Sequence, residues 1–321
     1  MRTKIMLSVV TSITLIITDV SAGTVLSGEN NVASGANAVV SGGKNNNASN
    51  SYTAIGGGLN NQTPGYMSTV SGGRDNQAVG NYSLVGGGYG NKAEGTRALV
   101  VGGRANKSKG DYASIVGGIG NVASGANAVV VAGDHNTAGE DAFVGAGSTN
   151  DASAPNSIVV GGSRNTVDQD YGFIGGGHDN IIDAHARSSN VIVGGEDNNI
   201  TYSTHGFIGS GRGNKVTNGS AIVAGYHNFA NDPRNTYSFI GGGEYNKALG
   251  NSSVVSGGNY NEATGDYATI AGGYNNDSAL RGTVSGGSNN VATGDQAVVG
   301  GGSGNIANAT SSTVAGGFRN K

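Results

Sequence analysis

Along this chain, short apolar pairs alternate with glycine and polar residues at a nearly fixed interval. One copy reads Ile158-Val159-Val160-Gly161-Gly162-Ser163-Arg164-Asn165. Its skeleton is Val or Ile, then a glycine three residues on, then Asn three residues after that. The skeleton returns twenty times, with its glycine at Gly28, Gly43 and Gly58 through to Gly287, Gly302 and Gly317. These glycines are 15 residues apart through Gly133, and 14 or 15 apart as far as Gly177. Steps of 18, 16, 14 and 18 lead to Gly243, after which 14 and 15 return. The apolar runs are brief and β-branched, as in Val39-Val40, Leu99-Val100-Val101 and Val191-Ile192-Val193, and glycine bounds them. No 3.6-residue apolar period exists, and glycine every few residues disfavours helix. A period near 15 is too short for a helical repeat or a propeller blade. It suits one coil of a solenoid: strand, turn, strand, turn. The pattern predicts an all-β parallel β-solenoid of about twenty coils, one repeat domain over 23–321, with the least regular coils at 134–245.

Within each coil the residue types divide the work. Glycines that follow the Asn by a few positions, such as Gly35, Gly65, Gly80, Gly95, Gly110 and Gly125, suit corners with positive φ. The repeated Asn predicts a structural ladder. Asn46, Asn61, Asn76, Asn91, Asn106, Asn121, Asn165, Asn246, Asn261 and Asn290 stack at one rung spacing. Each can bond its neighbours and the turn backbone that the strands leave unpaired. Residues flanking the Val/Ile are often apolar as well: Val39, Leu84, Leu99, Val129, Phe143, Ile158 and Phe173. A strand apolar on successive residues is normally covered on both faces. One face closes the coil's core and the other meets neighbouring chains, although the pattern leaves open which is which. The expectation is an oligomer, specifically a homotrimer.

Bulk composition narrows the function. Glycine makes up 61 of 321 residues without the every-third spacing of collagen. Charged residues are 12%, the net charge is −3, and no Lys/Arg run occurs, which argues against nucleic acid as a partner. With no cysteine, disulfide staples and thiolate metal sites are excluded. Residues 1–22 differ from the rest. Arg2 and Lys4 precede a largely apolar Ile5–Thr18, and Val20-Ser21-Ala22 supplies small residues before Gly23. That is the form of a cleaved signal peptide, its apolar core short of the roughly 20 residues a membrane span needs. The expected product is exported, to the cell surface or the medium, with no transmembrane segment in the mature chain.

The stretch Ser83-Leu84-Val85-Gly86-Gly87-Gly88-Tyr89-Gly90-Asn91-Lys92-Ala93-Glu94-Gly95 resembles the head repeats of the YadA-like trimeric autotransporter adhesins. The resemblance covers Val25 to Asn320. It implies a left-handed β-roll, three of which associate on a bacterial surface to bind host matrix or other cells. Each copy here carries one extra residue in the strand segment, usually glycine, and Asn replaces the family's first Ala. Counterparts of the family's neck, coiled-coil stalk and barrel strands are missing from this sequence, with no heptads and no alternating membrane strands. The family's collagen-associated motif has a near match starting at Asn156 and Ser157, with Arg164 where a Ser would stand.

Candidate binding residues fall in columns. Tyr52, Tyr82, Tyr112, Tyr171, Tyr237 and Tyr267 each lie six residues before a repeat glycine, so stacking places them in one row. Aromatic rows grip glycans or proteins, and they also cover glycine-rich backbone. Phe143, Phe173, Phe207 and Phe239 fall where the repeat loosens, as do all five histidines and the longer coils at Ile181–Asn190 and Phe229–Ser238. His178-Asp179 and His185 lack metal-site spacing and read better as exposed corner residues. No cofactor is implied. Gly86-Gly87-Gly88 lacks the Lys-Ser/Thr of a phosphate loop, and no carboxylate pair recurs, so the chain reads as non-enzymatic. The expected function is a surface or secreted adhesin head, or a structural rod, binding matrix protein, glycan or cell surface multivalently. The alternative is an ice- or polysaccharide-binding solenoid, for which Thr24, Thr69, Thr269, Thr283 and Thr313 share one position.

Overall fold

The structure, a computed structural model, describes residues 23–183, 189–231 and 237–321. The predicted signal segment, His185, and parts of the two longer coils lie outside the described residues. The chain is an all-β parallel β-solenoid of about 19 turns, with no helix among the described residues. It divides into two compact units, Met1–Gly120 and Asn121–Lys321.

In the first unit, each coil meets the next at three stations. The coil around Gly88 shows the plan. Leu84–Val85 is the first strand and Lys92–Ala93 the second, and Tyr89 bridges at the corner between them. Pairing is parallel and one coil apart: Leu84 with Leu99, Val85 with Val100, Lys92 with Lys107. The Leu84 N–H donates to the Ala98 carbonyl at 3.0 Å, and the Gly86 N–H to Val100 at 2.8 Å. Both strands are only two residues long because a glycine or αL corner follows at once. Pro64 sets the exception. It stands where Val79 and Glu94 donate an N–H to the next coil, and proline has none to give. The second strand there shrinks to a single bridging residue, Gln62.

Which apolar position points inward is now settled. The residue three before each repeat glycine, such as Val40, Ile55, Val85 and Val100, is fully buried in every coil but the two terminal ones, where Val25 and Val314 are partly exposed. Its predecessor on the strand faces out. Four side chains per coil fill the interior; around Gly88 they are Ser83, Val85, Asn91 and Ala93. Each buried Val or Ile contributes about 1.5–3 kcal/mol.

The second unit keeps this plan and varies its volumes in compensating pairs. Where the interior residue of the second strand grows to Val167 or Ile200, the following small position drops to Gly172 or Gly206. A Cβ at Gly172 would stand 2.4 Å from Val167 Cγ1, and one at Gly206 2.7 Å from Ile200 Cγ2. Interior volume is thereby conserved, which cores tolerate far better than overpacking. The irregular coils also lengthen the second strand to three residues: Ile181–Asp183, Asn199–Thr201, Lys215–Thr217 and Phe229–Asn231.

Adjacent glycines play opposite parts. Gly88 has φ +91, and a Cβ there would meet the Gly103 carbonyl oxygen at 2.1 Å and Asn91 Nδ2 at 2.6 Å. Gly87 has no positive φ, and its nearest neighbour to a new Cβ would be 4.0 Å away. Gly88→Ala should therefore destabilise by at least about 2 kcal/mol through αL strain and clash. Within a single chain Gly87→Ala should be neutral or gain about 0.4–1 kcal/mol by narrowing the unfolded ensemble, so any loss it causes comes from contact outside the coil. Paired denaturant titrations of the two variants check this, and equal effects would refute the assignment.

Candidate functional site

The asparagine column is committed to the scaffold. Asn61 is buried, and its Nδ2 donates to the Gly57 carbonyl at 2.8 Å and to Gly73 on the next coil at 2.9 Å. Its Oδ1 accepts the Asn76 backbone N–H at 3.0 Å. Asn46, Asn76, Asn91 and Asn106 repeat this pattern in the first unit. In the second unit so do Asn121, Asn165, Asn246, Asn261 and Asn290. At Asn165, Asn261 and elsewhere Nδ2 also reaches the preceding Asn Oδ1, at 3.1 and 3.2 Å. Oxygen and nitrogen both have protein partners, so these amides offer a ligand nothing.

The outer face of the first strand carries the phenylalanines. In the second unit Phe143, Phe173, Phe207 and Phe239 occupy alternate coils, with Ile158, Val191 and Ala221 between them. Two residues on, the same strands carry Gly145, Val160, Gly175, Val193, Gly209, Val223 and Gly241. Each bulky ring thus sits beside a glycine; Phe143 Cε1 lies 3.4 Å from where a Gly145 Cβ would be. The alternation levels the surface: Phe with Gly on one coil, aliphatic with Val on the next. The strip is exposed, with Val193 at 52% and Phe207 and Phe239 at 37%.

Each unit also carries a column of small residues, the one just before each repeat glycine. Gly72, Gly102 and Gly117 would have nothing within 4 Å of a new Cβ. For Gly161, Gly176, Gly194, Gly242 and Gly257 the nearest atom is a carbonyl oxygen at 3.8–4.0 Å. None of these eight has positive φ. Neither sterics nor backbone conformation within the chain requires glycine there.

The positive φ expected of Gly35, Gly65, Gly80, Gly95, Gly110 and Gly125 falls instead two residues later, at Asn37, Met67, Tyr82, Arg97, Tyr112 and Asn127, and glycines such as Gly80 serve close backbone approach. The tyrosine row lies at this strained corner. Tyr52, Tyr82, Tyr112, Tyr171 and Tyr267 all have φ near +60, and Tyr237 has +70. The αL conformation costs a residue with a Cβ about 1–2 kcal/mol. The N–H groups of Tyr52, Tyr82, Tyr112, Tyr171 and Tyr267 are still used; that of Tyr82 donates to the Tyr66 carbonyl at 2.7 Å. Between the tyrosines predicted from the sequence, the fold inserts two residues that spacing missed. Tyr66 meets Tyr52 and Tyr82 edge-on, at 5.8 and 5.7 Å between centroids. Arg97 lies over Tyr82 and Tyr112, at 5.5 and 5.3 Å, and donates to the Tyr112 hydroxyl. Five successive coils of the first unit therefore carry one exposed ladder. Tyr66 escaped notice because it stands seven residues before its repeat glycine rather than six.

A second aromatic column was missed altogether. Just after the repeat glycines of the second unit, Tyr226, His227, Tyr245, Tyr260 and Tyr274 contact one another in series. Tyr245 and Tyr260 stack at 4.9 Å with 9° between planes. The Tyr226 phenol, hydrogen-bonded to Tyr245, and then burial raise the Tyr245 phenol above its ordinary value. The sequence signal was present in the recurrence of Tyr one or two residues after the glycine.

Other candidates lose their surface. Ser157 is buried and its hydroxyl donates to the Ala154 carbonyl at 2.6 Å; Asn156 takes the αL corner at φ +57. A collagen-like contact would have Asn156 alone. His178 joins an exposed cluster in which the Arg164 guanidinium grips Asp179 at 2.6 Å and holds its carboxyl below the usual range. Among the described residues, no group of three or more His, Asp or Glu could hold a metal ion.

The chain matches no protein-family model, and no curated protein resembles it closely enough to count as a relative.

One carboxylate gives a pH prediction. Asp277 is half-buried with Oδ1 unbonded, and its strand partner is Glu262. Burial first, then Glu262, raise its pKa above the ordinary value. A raised acid favours the folded state only while protonated, so that stability is full below the unfolded pKa and lost as pH rises through the folded one. Asp277→Asn should therefore raise the melting temperature at pH 7, with the gain shrinking toward pH 3. Melting curves of wild type and variant across this range check the sign.

Proposed function

We propose that this protein is an exported, non-enzymatic adhesin or structural element of the cell surface, which works as a homotrimer. The observation that carries the reading is the open glycine column together with the levelled apolar strip. In eight coils a glycine is kept where its own chain leaves room for a side chain, and Ser or Ala fills the position in five others, which close approach from outside explains. A partner with the same coil-to-coil repeat needs such room on many rungs, and a second copy of this chain has that repeat. The strip of Phe, Val and Ile supplies the apolar surface such contact buries. The resemblance to adhesin head repeats gives the number three and the bacterial surface.

An assembly of repeated coils presents each exposed column several times over. Weak contacts to matrix protein, glycan or cell surface then add through effective concentration rather than through one strong pocket. The ice-binding alternative has less support, because Leu84, Leu99, Phe143 and Phe173 interrupt the threonine position.

Light scattering coupled to size exclusion tests the self-association. Wild type should run as a trimer. Gly72→Leu with Gly102→Leu, or Gly176→Leu with Gly257→Leu, should shift it to monomer with an unchanged circular dichroism spectrum. A monomeric wild type would overturn the assembly. Retention of the wild-type protein on immobilised matrix or intact cells, weakened at least tenfold in the monomeric variants, tests the adhesive part.

A further inference from the structure

The exposed ladder of the first unit has three properties that its structural role leaves unexplained. The first is strain. In a chain with 61 glycines, the αL corner is given to Tyr52, Met67, Tyr82, Arg97 and Tyr112, where glycine or asparagine would sit at lower cost. The second is uncompensated charge. Asp75 pairs with Arg74 and Glu94 with Lys92, while Asp111, whose carboxylate accepts the Thr96 N–H, keeps its charge as one acid against four cations. Arg97, Arg104, Lys107 and Lys109 have no carboxylate partner among the described residues. The third is presentation. The rings contact one another and the Arg97 guanidinium, so the ladder offers solvent its ring edges and phenolic hydroxyls beside N–H donors. Tyr52, Tyr82 and Tyr112 are about half exposed.

We propose that the column Tyr52–Tyr66–Tyr82–Arg97–Tyr112 binds an extended acidic polysaccharide along the coil axis. A row of donors repeated on successive coils fits a polymer, not a small molecule. The Arg97 guanidinium selects carboxylate or sulfate groups on it. Phenol hydroxyls and ring edges suit a chain rich in hydroxyl and C–H groups. Single-stranded nucleic acid fits less well, because base stacking needs free ring faces and several of these are taken by ladder neighbours. The second unit shows the contrast. Arg281 holds the same kind of αL corner, but its Nε and Nη2 are both bound to Asp295. This inference rests on the protein's being a non-enzymatic binding surface, and it does not require self-association.

The test is retention of the full-length protein on immobilised alginate, heparin and uncharged dextran, with a single-stranded oligonucleotide as competitor. Retention is expected on alginate or heparin, falling with salt, and none on dextran. Arg97→Gln should weaken it at least tenfold, and Arg281→Gln should leave it unchanged. Tyr82→Asn with Tyr112→Asn should weaken it too, with an unchanged or higher melting temperature, since Asn accepts αL readily. No retention of wild type, equal retention by the Arg97 and Arg281 variants, or displacement by the oligonucleotide at lower concentration than by soluble alginate or heparin would overturn the assignment. Light scattering on the same samples separates this from the assembly: a trimer that fails to bind refutes the ligand, and a monomer that binds refutes only the trimer.

Discussion

Every other feature depends on how closely one coil can lie on the next at the repeat glycine. There the backbone turns with φ between about +84 and +117, and the space a Cβ would take is filled by the next coil's carbonyl near 2 Å and by the coil's own Asn amide. No other residue permits both the turn and the approach. With that contact in place, strands of two residues suffice, because each is held from both sides by neighbours of the same length. Without it the short strands would have too few hydrogen bonds to define a register.

The interior follows from the same closeness. Coils this small hold one large side chain on the first strand, and the remaining volume is shared between two positions. Ala93 with Ala98 is one solution, and Val167 with Gly172 is the other. The coils between 134 and 245 look irregular in sequence because they vary this pair, as Val167 with Gly172, Ile182 with Asn190 or Val216 with Ser220, while lengthening a strand. Their core is no looser: Val167, Ile182, Ile200 and Val216 are as fully buried as the alanines they replace.

Much of this could be read in advance. The twenty-fold Val/Ile, Gly and Asn spacing identified a parallel solenoid, because that period leaves few alternatives. The direction of each strand's two faces could not be read, since Leu84 and Val85 are both apolar and composition does not rank them. The structure ranks them through burial. Columns were legible where one residue type kept one offset, as with Tyr52, Tyr82 and Tyr112. They were illegible where the partner changed type or slipped by a residue, as with Arg97 and Tyr66. The most informative glycines were hidden for the opposite reason. Gly87 and Gly88 look alike in sequence, and only geometry tells the one the fold requires from the one it does not.

The Asn ladder has a further consequence. Each carboxamide accepts a backbone N–H from the next coil and donates to a glycine carbonyl of that same coil, while also donating to a carbonyl of its own coil. It recognises the place of the next coil and is indifferent to that coil's surface residues. Any coil can in principle follow any other. Whole coils could be duplicated, deleted or exchanged in the gene without new packing rules, so length and surface pattern can change by recombination in units of about fifteen codons. What the ladder conserves is the joint, and that leaves the outward columns free to vary.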